Sequence, residues 1–169
     1  MYCEESSLSI NLSFDMPEGY EMANDTFDPT VNVLFINKEM LQSQPEYKQM
    51  SDLFHALRHA LQYLHPERFD GPTSWSRLYV IQYDGTCNQL VDGEWTECKF
   101  DGSIEYFTKL YLGQPYERDA NDFVYEKVKA FRGDYPELQE LHVLGRPKRT
   151  IEDQAYEDMY GRMDAVIAR

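Results

Sequence analysis

The stretch Leu53-Phe54-His55-Ala56-Leu57-Arg58-His59-Ala60-Leu61-Gln62 decides how this chain is read. It sits inside a periodic apolar run, Met50, Leu53, Phe54, Leu57, Leu61 and Leu64, whose spacing predicts a helix from about Pro45 to His65. Ser43 can cap its start, Pro45 is tolerated in the first turn, and Pro66 ends it by disfavouring helical geometry at His65. His55, His59 and Gln62 lie on a different face from the apolar stripe. Helical residues four apart project side by side, so His55 and His59 can aim two imidazole nitrogens at one point.

Upstream, residues 1–30 are polar, with turn signals at Pro17, Gly19 and Asp28-Pro29. Residues 31–37 read as a strand, with Val31, Val33 and Phe35 on one face and Leu34 and Ile36 on the other. Downstream, Asp84-Gly85 and Asp92-Gly93 each separate strand-like runs, which predicts an antiparallel meander over roughly 77–83, 86–91 and 94–100. A two-residue loop at Asp92-Gly93 sets Val91 opposite Glu94, Leu90 opposite Trp95 and Cys87 opposite Cys98. The cysteines then occupy a hydrogen-bonded pair, where the Cα atoms are too far apart to favour a disulfide, so both are expected as thiols. A second helix is expected from about Glu117 to Arg132, between Pro115 and Gly133, with Ala120, Phe123, Val124, Val128 and Phe131 as its apolar stripe. The basic run Arg146-Pro147-Lys148-Arg149 reads as a solvated loop, and a last helix is expected from about Ile151 to Ala168.

A chain of 169 residues, 42% hydrophobic, suits one globular domain. Its 30 acidic and 16 basic residues give a formal net charge of −14, a surface that repels phosphate backbones and anionic lipid. Direct nucleic-acid binding is therefore not expected. No apolar run approaches a membrane span, and Met1 to Ser13 lacks the basic start and apolar core of a signal peptide. The cysteines, Cys3, Cys87 and Cys98, form an odd set with no C-x-x-C, which suits a reducing compartment. A cytoplasmic location is expected; nothing in the sequence indicates an oligomeric state.

Two imidazoles one turn apart are suited to zinc, which takes a third protein ligand from elsewhere, often a carboxylate. The usual H-E-x-x-H arrangement adds a glutamate after the first histidine to take a proton from the zinc-activated water. Here that position is Ala56, whose methyl group accepts no proton.

The run from His55 to Gln62 resembles the zinc helix of bacterial and phage metallopeptidases, commonly H-E-L-R-H-x-x-Q. Pro115-Tyr116-Glu117-Arg118-Asp119-Ala120-Asn121-Asp122-Phe123 is similar to their third-ligand helix, with its E-x-D/E-A-x-x-F pattern. The strand at 31–37 matches the edge strand that zincins lay beside the cleft. The resemblance is to the gluzincin-like group that includes the ImmA/IrrE metallopeptidases, and it covers about residues 31–132.

That resemblance implies an α+β zincin-like domain: a small antiparallel sheet, an active-site helix and a ligand helix, with residues 133–169 as a helical C-terminal extension. It implies a zinc metalloendopeptidase acting on a protein or peptide, with His55, His59 and Glu117 as metal ligands. Asp119 is the rival third ligand, since two residues along a helix point about 200° apart and only one can face the ion. Asn121 would hold a ligand histidine by its second nitrogen. Tyr116, His142 and Tyr111 are candidates to steady the developing oxyanion. Position 56 would be the general base, on a face open to substrate, and its alanine implies little turnover. The otherwise intact motif points to an engineered Glu→Ala replacement. A metal-binding pseudoenzyme and an acidic protein-interaction module are the alternatives.

Overall fold

The computed structural model describes residues 8–133, 136–146 and 151–168. Its elements are β1 (Asn11–Ser13), β2 (Asp25–Asp28), β3 (Val33–Ile36), α1 (Lys38–Gln42), α2 (Glu46–Leu64), a 3-10 turn (Pro66–Arg68), α3 (Thr73–Ser76), β4 (Tyr79–Ile81), β5 (Thr86–Val91), β6 (Glu94–Lys99), α4 (Ile104–Leu112), α5 (Pro115–Arg132), α6 (Pro136–Leu144) and α7 (Asp153–Ile167). The strands form two three-stranded sheets, ordered β1-β3-β2 and β4-β5-β6, so the chain is α+β.

The second sheet is the expected antiparallel meander. Asp92 and Gly93 both take positive φ, at 51° and 86°, as a tight two-residue hairpin requires. The register follows, with Leu90 opposite Trp95 and Cys87 opposite Cys98. Both cysteines are buried free thiols, and burial pushes Cys87 up to about 12. Cys3 lies outside the described residues. At the other hairpin Gly85 is left-handed, and any Cβ there would run into the Phe100 carbonyl and the Phe107 ring.

The first sheet was only partly expected. β3 pairs in parallel with β1 and antiparallel with β2, which places it in the centre. The edge strand beside the cleft is therefore β2, not the 31–37 segment. β1 and β2 escape notice because they are short, and Asp25-Thr26-Phe27-Asp28 carries acids at both ends. Leu34 and Ile36 on β3 are buried against Ala56 of α2.

α2 is packed on more than one side. Ser51, Ala56, Ala60, Leu61 and Gln62 are its buried residues, while Leu57 and Leu64 pack on the Leu8/Phe69 cluster and Met50 and Phe54 on the Val124/Val128/Leu138 cluster. The expected stripe is thus half-buried and the deepest positions are the small and amide residues, because neighbours close on the alanine face. Ser43 does not cap α2. It closes α1, donating to the Met40 carbonyl, and Pro45 stands at the start of α2. On α5, Ala120, Val124 and Val128 are buried as expected, but Phe131 is exposed apart from a stacked contact with Phe54.

The core does not stop at residue 132. Tyr156, Met159, Tyr160 and Met163 of α7 are buried with Ile81, Cys87, Phe107 and Leu110, so the C-terminal helix covers the second sheet rather than extending from a finished domain. Of the basic run, only Arg146 is among the described residues, and it pairs with Asp122.

Gln114 ties the second sheet to α5. It is fully buried at the helix start; its Oε1 accepts from the Ile81 N–H at 3.0 Å and its Nε2 donates to the Tyr111 carbonyl at 3.4 Å. Gln114→Leu keeps the bulk but orphans a buried amide, which costs about 1–3 kcal/mol. Urea unfolding of the variant should show that loss.

Candidate metal centre

Two helices build the site. α2 presents His55 and His59 one turn apart, and α5 crosses it with Glu117 in its first turn. The imidazole centroids are 4.4 Å apart and the rings nearly perpendicular, at 84°. His55 Nε2 lies 3.3 Å from Glu117 Oε2, and His59 Nε2 lies 3.6 Å from Glu117 Oε1. One donor atom from each residue falls within 4.8 Å of the others, and this is the only such group of three or more among the described residues.

These spacings fit a metal ion. Ligands about 2.0–2.1 Å from a tetrahedral ion stand roughly 3.3–3.4 Å from one another, and the two histidine–Glu117 separations, each to a different carboxylate oxygen, lie near that value. Without an ion, satisfying Glu117 by ion pairing alone would set two positive rings against each other. The fields of the site point the same way. Burial alone would raise the Glu117 carboxyl, yet the adjacent His59 and His55 hold it well below the usual carboxylate range. Burial would lower His59, but Glu117 lifts it above its ordinary value.

Gln62 fixes the orientation of His59. The Gln62 Nε2 donates to the Tyr116 carbonyl at 2.9 Å and to Asp119 Oδ2 at 2.8 Å, which turns its Oε1 toward His59 Nδ1 at 2.8 Å. Nδ1 then donates its proton to Gln62, and Nε2 is the ring nitrogen turned toward Glu117, where it can hold a proton or, once deprotonated, a metal ion. The sequence assigned this supporting role to Asn121. Asn121 instead donates to the Gly145 carbonyl at 2.9 Å.

Asp119 is spoken for. Arg58 grips it with two bonds, Nε at 2.7 Å and an Nη2 at 2.8 Å, while the guanidinium lies 4.6 Å from the Phe69 and Phe123 ring centres. Of the two acids the sequence left open, Glu117 is the one beside both histidines.

A cleft of about 470 Å³ opens onto His55, Ala56, His59 and Glu117, and its walls include Tyr63, Trp95, Tyr111 and Tyr116. Tyr116 is buried and meets His59 edge-on at 5.5 Å. Tyr111 lines this cleft and a second cavity of about 270 Å³ behind His55. The nearby Glu117 charge, with burial, raises its hydroxyl to about 12, so it remains a proton donor at neutral pH. His142 lies at the second cavity, bonded to Asp122 at 2.9 Å and stacked on Tyr125. Ala56 lines the main cleft but is only 1% exposed, so the open face expected there is largely closed by Leu34 and Ile36. Asp25, which the sequence reading passed over, also lines this cleft. A four-residue strand of sequence Asp25-Thr26-Phe27-Asp28 carries no pattern that would have singled it out.

Among the described residues, no helix is long and apolar enough to cross a membrane. No known protein family, curated protein or solved structure matches the chain.

The division of labour between the two acids can be checked directly. Glu117→Gln should abolish metal uptake, since an amide is a poor zinc ligand, while Asp119→Asn should retain the metal but lose about 1–3 kcal/mol of stability as the Arg58 clamp weakens. Metal loss in Asp119→Asn with retention in Glu117→Gln would reverse the assignment.

Proposed function

We propose that His55, His59 and Glu117 hold a zinc ion and that the chain is a zincin-like, zinc-dependent peptidase acting on a protein or peptide laid in the aromatic cleft. The donor triangle carries this reading: two histidine nitrogens and the Glu117 carboxylate with donor atoms within 4.8 Å of one another, at the wall of a cleft of about 470 Å³. Zinc in such a site supplies a Lewis acid that acidifies water and polarises a carbonyl group.

The chain's own residues divide the remaining tasks. Gln62 holds His59 in the ligating tautomer. Tyr111 keeps its hydroxyl proton and can donate it in a hydrogen bond to a carbonyl oxygen that gains charge. The tyrosines and Trp95 give the cleft amphipathic walls, apolar in body and polar at the tip. Ala56 supplies no proton acceptor, which favours a second reading: a domain that binds metal and peptide without cutting.

Purified protein should contain about one zinc per chain, and His59→Ala should lose it. Full zinc content in a His55→Ala, His59→Ala double variant would refute the site. Zinc must displace a proton from His59, and the His59 pKa stands above its ordinary value of 6.5. Affinity should therefore begin to weaken at a higher pH than for an unperturbed histidine and fall continuously as the solution is acidified. Competition titrations between pH 8 and 6, on the order of the histidine range, measure this.

A further inference from the structure

Asp25 is an acid on the inward face of its strand. Along β2 side chains alternate, and Phe27 points toward α2, where its ring meets Tyr63 at 6.0 Å. Asp25, two residues earlier, projects the same way. Its partner in register is Ile36 on β3, and Ile36 packs against Ala56. Directly opposed residues share a face, with Cβ atoms about 4.5–5.5 Å apart. The Asp25 carboxyl is therefore on the sheet face that packs against α2, and it lines the same cleft as Ala56, the position at which an H-E-x-x-H site has its glutamate.

Three further observations bear on its role. Asp25 lines the same cleft as His55, Ala56, His59 and Glu117. Its carboxylate has no hydrogen bond or ion pair among the described residues, although it is half-buried and feels the charges of His55 and His59. It also stands outside the group of donor atoms that lie within 4.8 Å of one another, so it faces the site without belonging to the ligand set. A carboxylate beside the ligands, unbonded and open to the cleft, is placed to carry a proton.

We propose that Asp25 is the general base of the cleft, supplying from β2 the carboxylate that α2 lacks at position 56. This rests on the zinc-peptidase reading. An Asp25 Oδ accepts a proton from the attacking water as the water oxygen bonds to the scissile carbonyl carbon. The C–N bond then breaks, and Asp25 passes that proton to the leaving nitrogen. One water is consumed, one acid and one amine terminus are formed, and Asp25 returns to its starting state. No electrons change hands. The domain is then an active peptidase with its base moved from helix to strand, and Ala56 is the small residue that lets the first sheet lie close against α2.

The test compares the wild-type protein, Asp25→Asn and Glu117→Gln, each assayed for zinc content, for zinc affinity and for hydrolysis of a pooled library of internally quenched peptides. The wild-type protein should hold one zinc and cleave. Asp25→Asn should keep its zinc with unchanged affinity and an unchanged KM, while kcat falls by about 10²–10⁴-fold. Glu117→Gln should lose the metal itself. Wild-type turnover in Asp25→Asn overturns the proposal, as does loss of zinc from that variant, which would make Asp25 a ligand. Zinc-loaded wild-type protein that cleaves no peptide also overturns it while leaving the metal site intact. Wild-type protein that takes up no zinc removes the underlying reading, and the assignment of Asp25 with it.

Discussion

The crossing of α2 and α5 governs the rest of this structure. Arg58 holds Asp119 with paired hydrogen bonds, and Gln62 spans from Asp119 and the Tyr116 carbonyl to His59. These contacts fix how α5 is rotated. With Asp119 turned to Arg58, Glu117 is delivered to the two histidines, because a two-residue step swings a side chain about 200° around a helix. One acid locks the crossing and the other faces the site. Charge-assisted, bidentate bonds suit the locking role because they constrain direction as well as distance.

The site gathers groups of opposite preference into one half-buried volume. Glu117 is held ionised by His59 and His55, and the tyrosines around it are held protonated by burial and by the Glu117 charge. The result is a centre with one firm negative charge, two nitrogen donors and hydroxyl groups that still carry their protons. It is a combination that could hold a divalent cation, which would join both ring nitrogens and the carboxylate without setting two imidazolium rings side by side. The surplus of acid over the whole chain is a separate matter: it shapes solubility and partner choice, whereas the site depends on a few charges at short range.

Ala56 and Ala60 give the first sheet and the neighbouring loops close access to α2. Leu34 and Ile36 lie on Ala56, and Leu61 and Phe69 gather around Ala60. That proximity brings an inward-facing residue of β2 into the cleft. A larger residue at 56 would share this space with β3, so the missing glutamate and the close approach of the sheet are two sides of one packing arrangement.

Local chemistry in the sequence determined the long helix, the i,i+4 histidine pair, both Asp-Gly hairpins and the register that places Cys87 opposite Cys98, because each depends on residues a few positions apart. It also narrowed the third donor to two acids on one helix. Tertiary structure made the choice between them, since only the crossing shows that Arg58 and Gln62 occupy Asp119. It gave the histidine-orienting role to Gln62 rather than Asn121, closed the face at Ala56, and folded α7 into the core. It also made β3 a central strand and β2 the edge over the cleft. Asp25 was the least legible residue, for a physical reason. A four-residue strand carries too little periodicity to announce itself, and an acid is read as solvated until its partner across the sheet is known to be Ile36, packed on the helix that bears the histidines.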